Sequence, residues 1–180
     1  MESLDFKTIM GLLVSVMLAV SGYLYRYYDD KNNRKRLAHL SFITKQLEEF
    51  YGPLFFRSVS GEKSYQELLK KLGKPRISLN PTQKELKEWR IWYKTVFHPV
   101  NLEMENIILE KSFLIREEVI PQPLTDYISH ISPYKAILAK WEEKDFSEHF
   151  STVDFPRDFT TYIHRSYHAL KKEQIRLMNS

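Results

Sequence analysis

Apolar residues along this chain follow two patterns, and the change from one to the other organises it. Between Thr8 and Tyr25 no Asp, Glu, Lys or Arg interrupts the run. At 1.5 Å per residue a helix over this run spans about 27 Å, close to the hydrocarbon thickness of a bilayer. From Arg34 onward the apolar positions become periodic instead. Leu37, Leu40, Ile43 (or Phe42), Leu47, Phe50 and Leu54 recur at helical spacing, as do later sets, and charged residues fill the intervals.

The periodic part reads as a series of helices divided by Pro and Gly. A helix from Arg34 to Phe56 meets Gly52-Pro53, where a kink or break is predicted because Pro removes a backbone donor and crowds the preceding turn. Ser60-Gly61 marks a turn. Glu62–Leu72 is then a short amphipathic helix stopped by Gly73 and Pro75. Arg76–Leu79 alternates like a strand but is too short for a sheet. Asn80-Pro81-Thr82-Gln83 offers a helix start with Asn80 as the cap. The helix that follows carries Leu86, Trp89, Tyr93, Val96 and Phe97, and His98-Pro99 should kink or end it. The pattern resumes through Val100, Met104, Ile107 and Ile108 to Phe113-Leu114-Ile115. An exposed connection is expected around Arg116–Gln122. Leu124–Trp141 is one helix broken by Pro133 or two short ones, Lys144–Thr152 is a polar loop, and Asp154-Phe155-Pro156 opens a last helix reaching about Met178. The fold class is all-α: a transmembrane helix at 8–25, a basic juxtamembrane segment at 26–36, and one cytoplasmic helical-bundle domain at 37–180, preceded by a short non-cytoplasmic segment at 1–7.

Charge orients the expected span. Arg26, Lys31, Arg34, Lys35 and Arg36 follow it, offset by Asp29 and Asp30, whereas only Lys7 precedes it. Lys and Arg stay on the cytoplasmic side, so the N-terminus faces out and the domain faces the cytoplasm. Tyr23, Tyr25, Tyr27 and Tyr28 sit where aromatic rings with a polar tip meet lipid headgroups. Two other readings of the run stand beside the anchor. A cleaved leader would need a more basic start than Lys7 with Glu2 and Asp5. A buried core helix would have to be apolar on every face.

The overall balance of 27 basic and 23 acidic residues overstates the charge of the domain. Setting aside Lys7, the five juxtamembrane bases, and Glu2, Asp5, Asp29 and Asp30 leaves 21 basic and 19 acidic residues in 37–180. A net charge this small gives no reason to expect duplex nucleic acid as a partner. With no Cys in the chain, thiol catalysis and Cys-ligated metals are excluded. No Gly-rich phosphate loop, nucleophile elbow or acidic metal cluster appears, and no cofactor is implied. His164 and His168 share a helix face, but Arg165 stands where a metalloprotease pair would carry Glu, so no metal site is expected.

One pattern points to binding. Arg90, Lys94 and His98 step by four along a helix, with Trp92 and Tyr93 alongside. Such a stripe can hold phosphates by charge and a nucleobase by its π-face, with Arg57 a further candidate. The plain alternative is a solvated face paired with Glu85 and Glu88. Gly11 and Ser15 form a small-xxx-small pair of the kind that supports self-association in a membrane.

Three segments carry a resemblance: Leu47-Glu48-Glu49-Phe50-Tyr51-Gly52-Pro53-Leu54, Trp89 through Asn101, and Phe155-Pro156-Arg157. They are similar to a set of bacterial single-span proteins with a helical cytoplasmic domain and no assigned activity. The layout also resembles membrane effectors of antiphage defence, including those of type III CRISPR systems that sense a cyclic oligoadenylate. Beside that layout, a near-continuous helix from Thr8 to Phe56, the cationic stripe and the missing catalytic set lead to the expectation of a non-enzymatic inner-membrane sensor or effector, with the bilayer and an anionic nucleotide ligand as partners, assembling as a homo-oligomer. A different class also fits: a membrane-tethered scaffold that docks a partner protein through its aromatic surface.

Overall fold

The computed structural model describes residues 5–179. Of the segment 1–7 expected outside the cytoplasm, residues 1–4 lie outside the described residues, as does Ser180 of the domain. Every regular element among the described residues is helical. They are α1 (Phe6–Gln46), a π turn (Leu47–Tyr51), α2 (Gly52–Leu72), α3 (Gln83–Trp92), a second π turn (Tyr93–Phe97), α4 (His98–Glu110), a 3-10 turn (Ser112–Leu114), α5 (Gln122–Ile131), α6 (Pro133–Glu142) and α7 (Arg157–Met178). The chain divides into two compact units, one up to Phe42 and one from Ile43 to Asn179.

In the first unit, α1 is the one helix among the described residues long and apolar enough to cross a membrane. None of its most apolar window is buried by the chain. A core helix is covered by its own protein, and this stretch is not. Tyr23, Tyr25, Tyr27 and Tyr28 are all exposed. The basic positions Arg26, Lys31, Arg34, Lys35 and Arg36 continue the same helix, with Asn33 donating to Asp29 one turn earlier (3.2 Å).

The second unit is built around two apolar cores. The first gathers Ile43, Leu47, Phe50, Tyr51 and Leu54 with Met104 and Ile108 of α4, Leu114 of the 3-10 turn, Leu124 and Tyr127 of α5, and Phe159, Ile163 and Leu170 of α7. The second gathers Leu68 and Leu69 of α2, Ile77, Trp89, Tyr93 and Phe97, and Tyr134, Ile137 and Trp141 of α6. Helix α2 contributes to both, so the two cores share a spine.

The prolines act differently from the expected breaks. In an α-helix Pro53 would bond to Glu49 and Pro99 to Thr95, but neither ring has an N–H to give. The helix widens for one turn instead of stopping. The Gly52 N–H reaches back five residues to Leu47 O, and the His98 N–H reaches back five to Tyr93 O. Apolar residues on both sides of each proline are buried, so keeping the helix together buries more surface than a kink would. The first widened turn depends on glycine: a Cβ on Gly52 would lie 2.3 Å from Leu47 O.

Two other expectations shift. No turn forms at Ser60-Gly61, because α2 runs on to Leu72 and ends at Gly73 in the left-handed region (φ 63°). The cap of α3 is Thr82, not Asn80. The Glu85 N–H donates to Thr82 Oγ1 while Glu85 accepts from the Thr82 N–H (2.6 Å), a reciprocal capping box. Asn80 instead takes a positive φ of 43° in the turn that precedes the cap. Residues 76–79 form a turn, not a strand, with Ile77 plugged into the second core. Pro133 separates two helices by standing at the start of α6.

Candidate functional site

The four sequence-predicted binding residues have separate surroundings. Arg57 donates to Glu103 (2.6 Å) and to the Pro53 carbonyl (3.3 Å). His98 stacks against Tyr93 (6.0 Å between ring centres), and burial holds its pKa below the ordinary 6.5. Lys94 makes only a long, exposed pair with Glu142 (3.5 Å). Arg90 lies over the Phe146 ring, its guanidinium carbon 4.2 Å from the ring centre. Glu85 and Glu88, the carboxylates expected to neutralise this stripe, are held elsewhere, by Lys74 (2.8 Å) and Lys71 (2.7 Å). Among the described residues, the four share no hydrogen-bond, ion-pair or ring partner.

The aromatic neighbours also part company. Tyr93 is buried and stacked on Tyr134 (3.9 Å), so it has no open face for a nucleobase. That corrects the expectation that it lies ready to stack on a ligand. Trp92 is half-buried. With Phe56, Val59, Ser60, Lys63, Ser64 and Glu67 it lines a shallow groove of about 430 Å³ along α2.

The surroundings of Arg90 are formed by the loop after α6. Two indoles hold that loop: Trp141 Nε1 donates to the Glu148 carbonyl (2.7 Å) and Trp89 Nε1 to the His149 carbonyl (2.8 Å). Phe150 packs on Trp89 (5.5 Å). Together these contacts bring Phe146 and His149 to Arg90. The acidic groups of the loop have their own partners: Glu148 accepts from Lys140 and Asp145 from the Ser147 N–H (2.9 Å). Arg90 Nη1 and His149 Nδ1 are both buried, and neither has a hydrogen-bond partner. Burial, and secondarily the Arg90 charge, hold the His149 pKa below 6.5. Sequence reasoning reached Arg90 and missed His149. Nothing in the spacing of a polar loop tells that two tryptophans from different helices will fasten it there.

A second polar feature escaped the sequence as well. The Arg116 N–H donates to Tyr51 Oη (3.1 Å), Tyr51 donates to Tyr162 Oη (3.0 Å), and Tyr162 donates to Glu117 (2.9 Å). Burial raises the pKa of both phenols, so both hydroxyls stay protonated. The chain of hydroxyls ends at a surface cleft of about 610 Å³ lined by Glu117, Val119, Ile120, Asp158, Tyr162 and Arg165, among others. On α4, buried Glu105 accepts from Lys135 (2.8 Å) and Asn101 accepts from Tyr127 (2.9 Å).

His164 and His168 flank the Phe55 ring, at 4.6 and 5.4 Å between ring centres. No group of three or more metal-ligating side chains stands together among the described residues. No protein-family model, curated protein or solved structure matches the chain.

Proposed function

We propose that this chain is a membrane-anchored, non-enzymatic sensor or effector whose helical domain binds an anionic ligand of the cyclic-nucleotide class. In this reading α1 spans a bacterial plasma membrane with its N-terminus outside. The domain lies in the cytoplasm, and the assembled oligomer perturbs the bilayer when ligand binds. The observation that carries it is Arg90, a guanidinium lying on an aromatic ring with a buried Nη1 that no acceptor satisfies. A buried unmet donor is costly, and an anion satisfies it with a charge-assisted bond. Support for the anchor is the uncovered apolar stretch of α1, because an exposed apolar surface of this length is stable only against lipid or another apolar surface.

The test uses the full chain in lipid nanodiscs, melted against cyclic di- and oligonucleotides with linear ones as controls. A ligand at 100 times its Kd adds about 2.7 kcal/mol, enough to raise the melting temperature by several degrees. A selective shift is the expected result, and a flat panel removes nucleotides as the ligand. An intact mass that retains the apolar run excludes a cleaved leader. The lack of native Cys permits orientation to be read by labelling Asp5→Cys and Asn179→Cys with an impermeant maleimide. Asp5→Cys should label in intact cells, and Asn179→Cys only after permeabilisation.

The scaffold reading is favoured by a different observation, the groove beside Phe56, which is 65% exposed. It predicts that Phe56→Glu abolishes partner capture while nucleotide binding is unaffected.

A further inference from the structure

We infer that Arg90, Lys94 and His149 form a binding site for a phosphate-class oxyanion, closed on one side by the Phe146 ring. The inference rests on the sensor reading and gives it an address. Its geometry has three parts. The guanidinium carbon stands 4.2 Å from the Phe146 ring centre, and its buried Nη1 has no hydrogen-bond partner to give up. The imidazole of His149 brings a second buried, unpartnered nitrogen from the loop, fixed by the two indole bonds to consecutive carbonyls. One helical turn beyond Arg90, Lys94 is bound only by its long contact with Glu142. Ion pairs this exposed are weak, so Lys94 is readily drawn to a better anion.

The charges around the site decide what it accepts. Lys140 neutralises Glu148, the Ser147 N–H occupies Asp145, and Lys94 answers Glu142, which leaves the positive charge of Arg90 without a carboxylate. A cation would meet Arg90 first and be repelled. A neutral ligand would leave the guanidinium unanswered. A phosphate offers several acceptor oxygens, enough for Arg90, the His149 N–H and Lys94 at once. Neither Trp92, which lines the groove along α2, nor buried Tyr93 supplies a stacking face. The site is therefore specific for the anion and indifferent to any attached base.

His149 reports directly on occupancy. Burial and the Arg90 charge keep the ring neutral at pH 7. An anion beside it favours the protonated form, a shift of about 1 to 3 pH units upward for a close opposite charge. The experiment follows the histidine side chains of the full chain by NMR in phosphatidylcholine nanodiscs, titrated with pH and with inorganic phosphate or pyrophosphate. His149 is assigned by the signal lost in His149→Asn. Pyrophosphate should raise the His149 pKa by about one unit or more, and Arg90→Gln should abolish the shift. Arg90→Lys, which keeps the charge but loses the planar fork, should weaken binding several-fold. Discs containing phosphatidylglycerol and no added phosphate distinguish the sources. A shift there places the phosphate on a lipid headgroup, and a shift only with soluble anion places it in the cytoplasm. A His149 resonance that no phosphate compound moves overturns the site, and this result is independent of how Arg90 variants fold. If nucleotides raise the melting temperature while His149 stays still, this site is wrong and the sensor reading stands. If pyrophosphate moves His149 and every nucleotide is inert, the site stands and the nucleotide reading falls.

Discussion

The two widened turns of this domain meet the same constraint with different residues. Each precedes a proline, each joins two helices, and each places aromatic side chains in a core. At the first, the residue before the proline is Gly52, whose missing Cβ makes room for the Leu47 carbonyl. At the second, the same position is His98, and the turn accommodates a full side chain. The first turn is also fastened by hydrogen bonds from Tyr51 to Tyr162 and from Arg116 to Tyr51, which reach distant parts of the chain. The second is surrounded by rings that stack, Tyr93 on Tyr134 and Trp89 near Phe97. A proline defect in a buried helix can thus be held by exact backbone clearance and polar bonds, or by aromatic packing. The first arrangement tolerates substitution far less than the second.

Substitutions at the two turns test that contrast. Gly52→Ala should cost most, about 3 kcal/mol, since backbone rather than a flexible side chain stands in the way. Denaturant unfolding of the full chain in detergent measures it. Trp89, Trp92 and Trp141 all belong to or line the second core, so their fluorescence reports on that core alone. Because α2 serves both cores, the loss at Gly52 should appear undiminished in the tryptophan signal. Two separate transitions would mean that the cores are independent. Tyr51→Phe comes next, at about 2 kcal/mol, because it leaves the Arg116 N–H and Tyr162 without their partner; the same unfolding curve reads it.

Thr82→Ala should remove about 1 kcal/mol by uncapping α3. Its partner adds a pH signature. The Lys74 hydrogen bond, then those from Thr82, hold the Glu85 pKa down to about 2 from an ordinary 4.5. The stability this contributes is complete above pH 4.5 and lost as pH falls towards 2. Glu85→Gln should therefore flatten the melting profile in that interval. Smallest is His98→Ala, under about 1 kcal/mol at pH 7 if packing holds the second turn. Its folded pKa is depressed, so the unfolded chain binds the proton more readily and stability falls as pH drops through 6.5. His98→Ala should lessen that fall, seen in melting temperatures between pH 7 and 5. A loss at His98 equal to that at Gly52 would erase the contrast.

Much of this architecture was legible from spacing. Apolar periodicity located the helices from Leu37 to Ile175, Gly73 and Pro133 marked real boundaries, and the uncharged run marked the exposed helix. Local rules failed where tertiary packing outweighed them. Pro53 and Pro99 signalled breaks, yet burial of Tyr51, Leu54, Tyr93 and Phe97 kept the helix going. Asn80 and Thr82 are both good caps. Lys74, which bonds to the Leu79 and Asn80 carbonyls as well as to Glu85, accompanies the choice of Thr82. The candidate site was half visible: Arg90 stands in a helical pattern, whereas His149 reaches it only because Trp89 and Trp141 capture the loop.

The nesting of the two cores also sets an order of manufacture. All buried members of the second core lie between Leu68 and Trp141, whereas the first needs Ile43 and Leu47 from early in the chain and Phe159, Ile163 and Leu170 from near its end. On a ribosome the inner nucleus can close while the outer one still waits for α7, leaving Tyr51, Phe50 and Leu54 uncovered for much of translation. Synthesis proceeds at about 5–20 residues per second, so that interval lasts several seconds. A stop or truncation before Phe159 would release a chain with one finished nucleus and one open apolar face, a substrate for chaperones and proteases rather than a smaller version of the same protein.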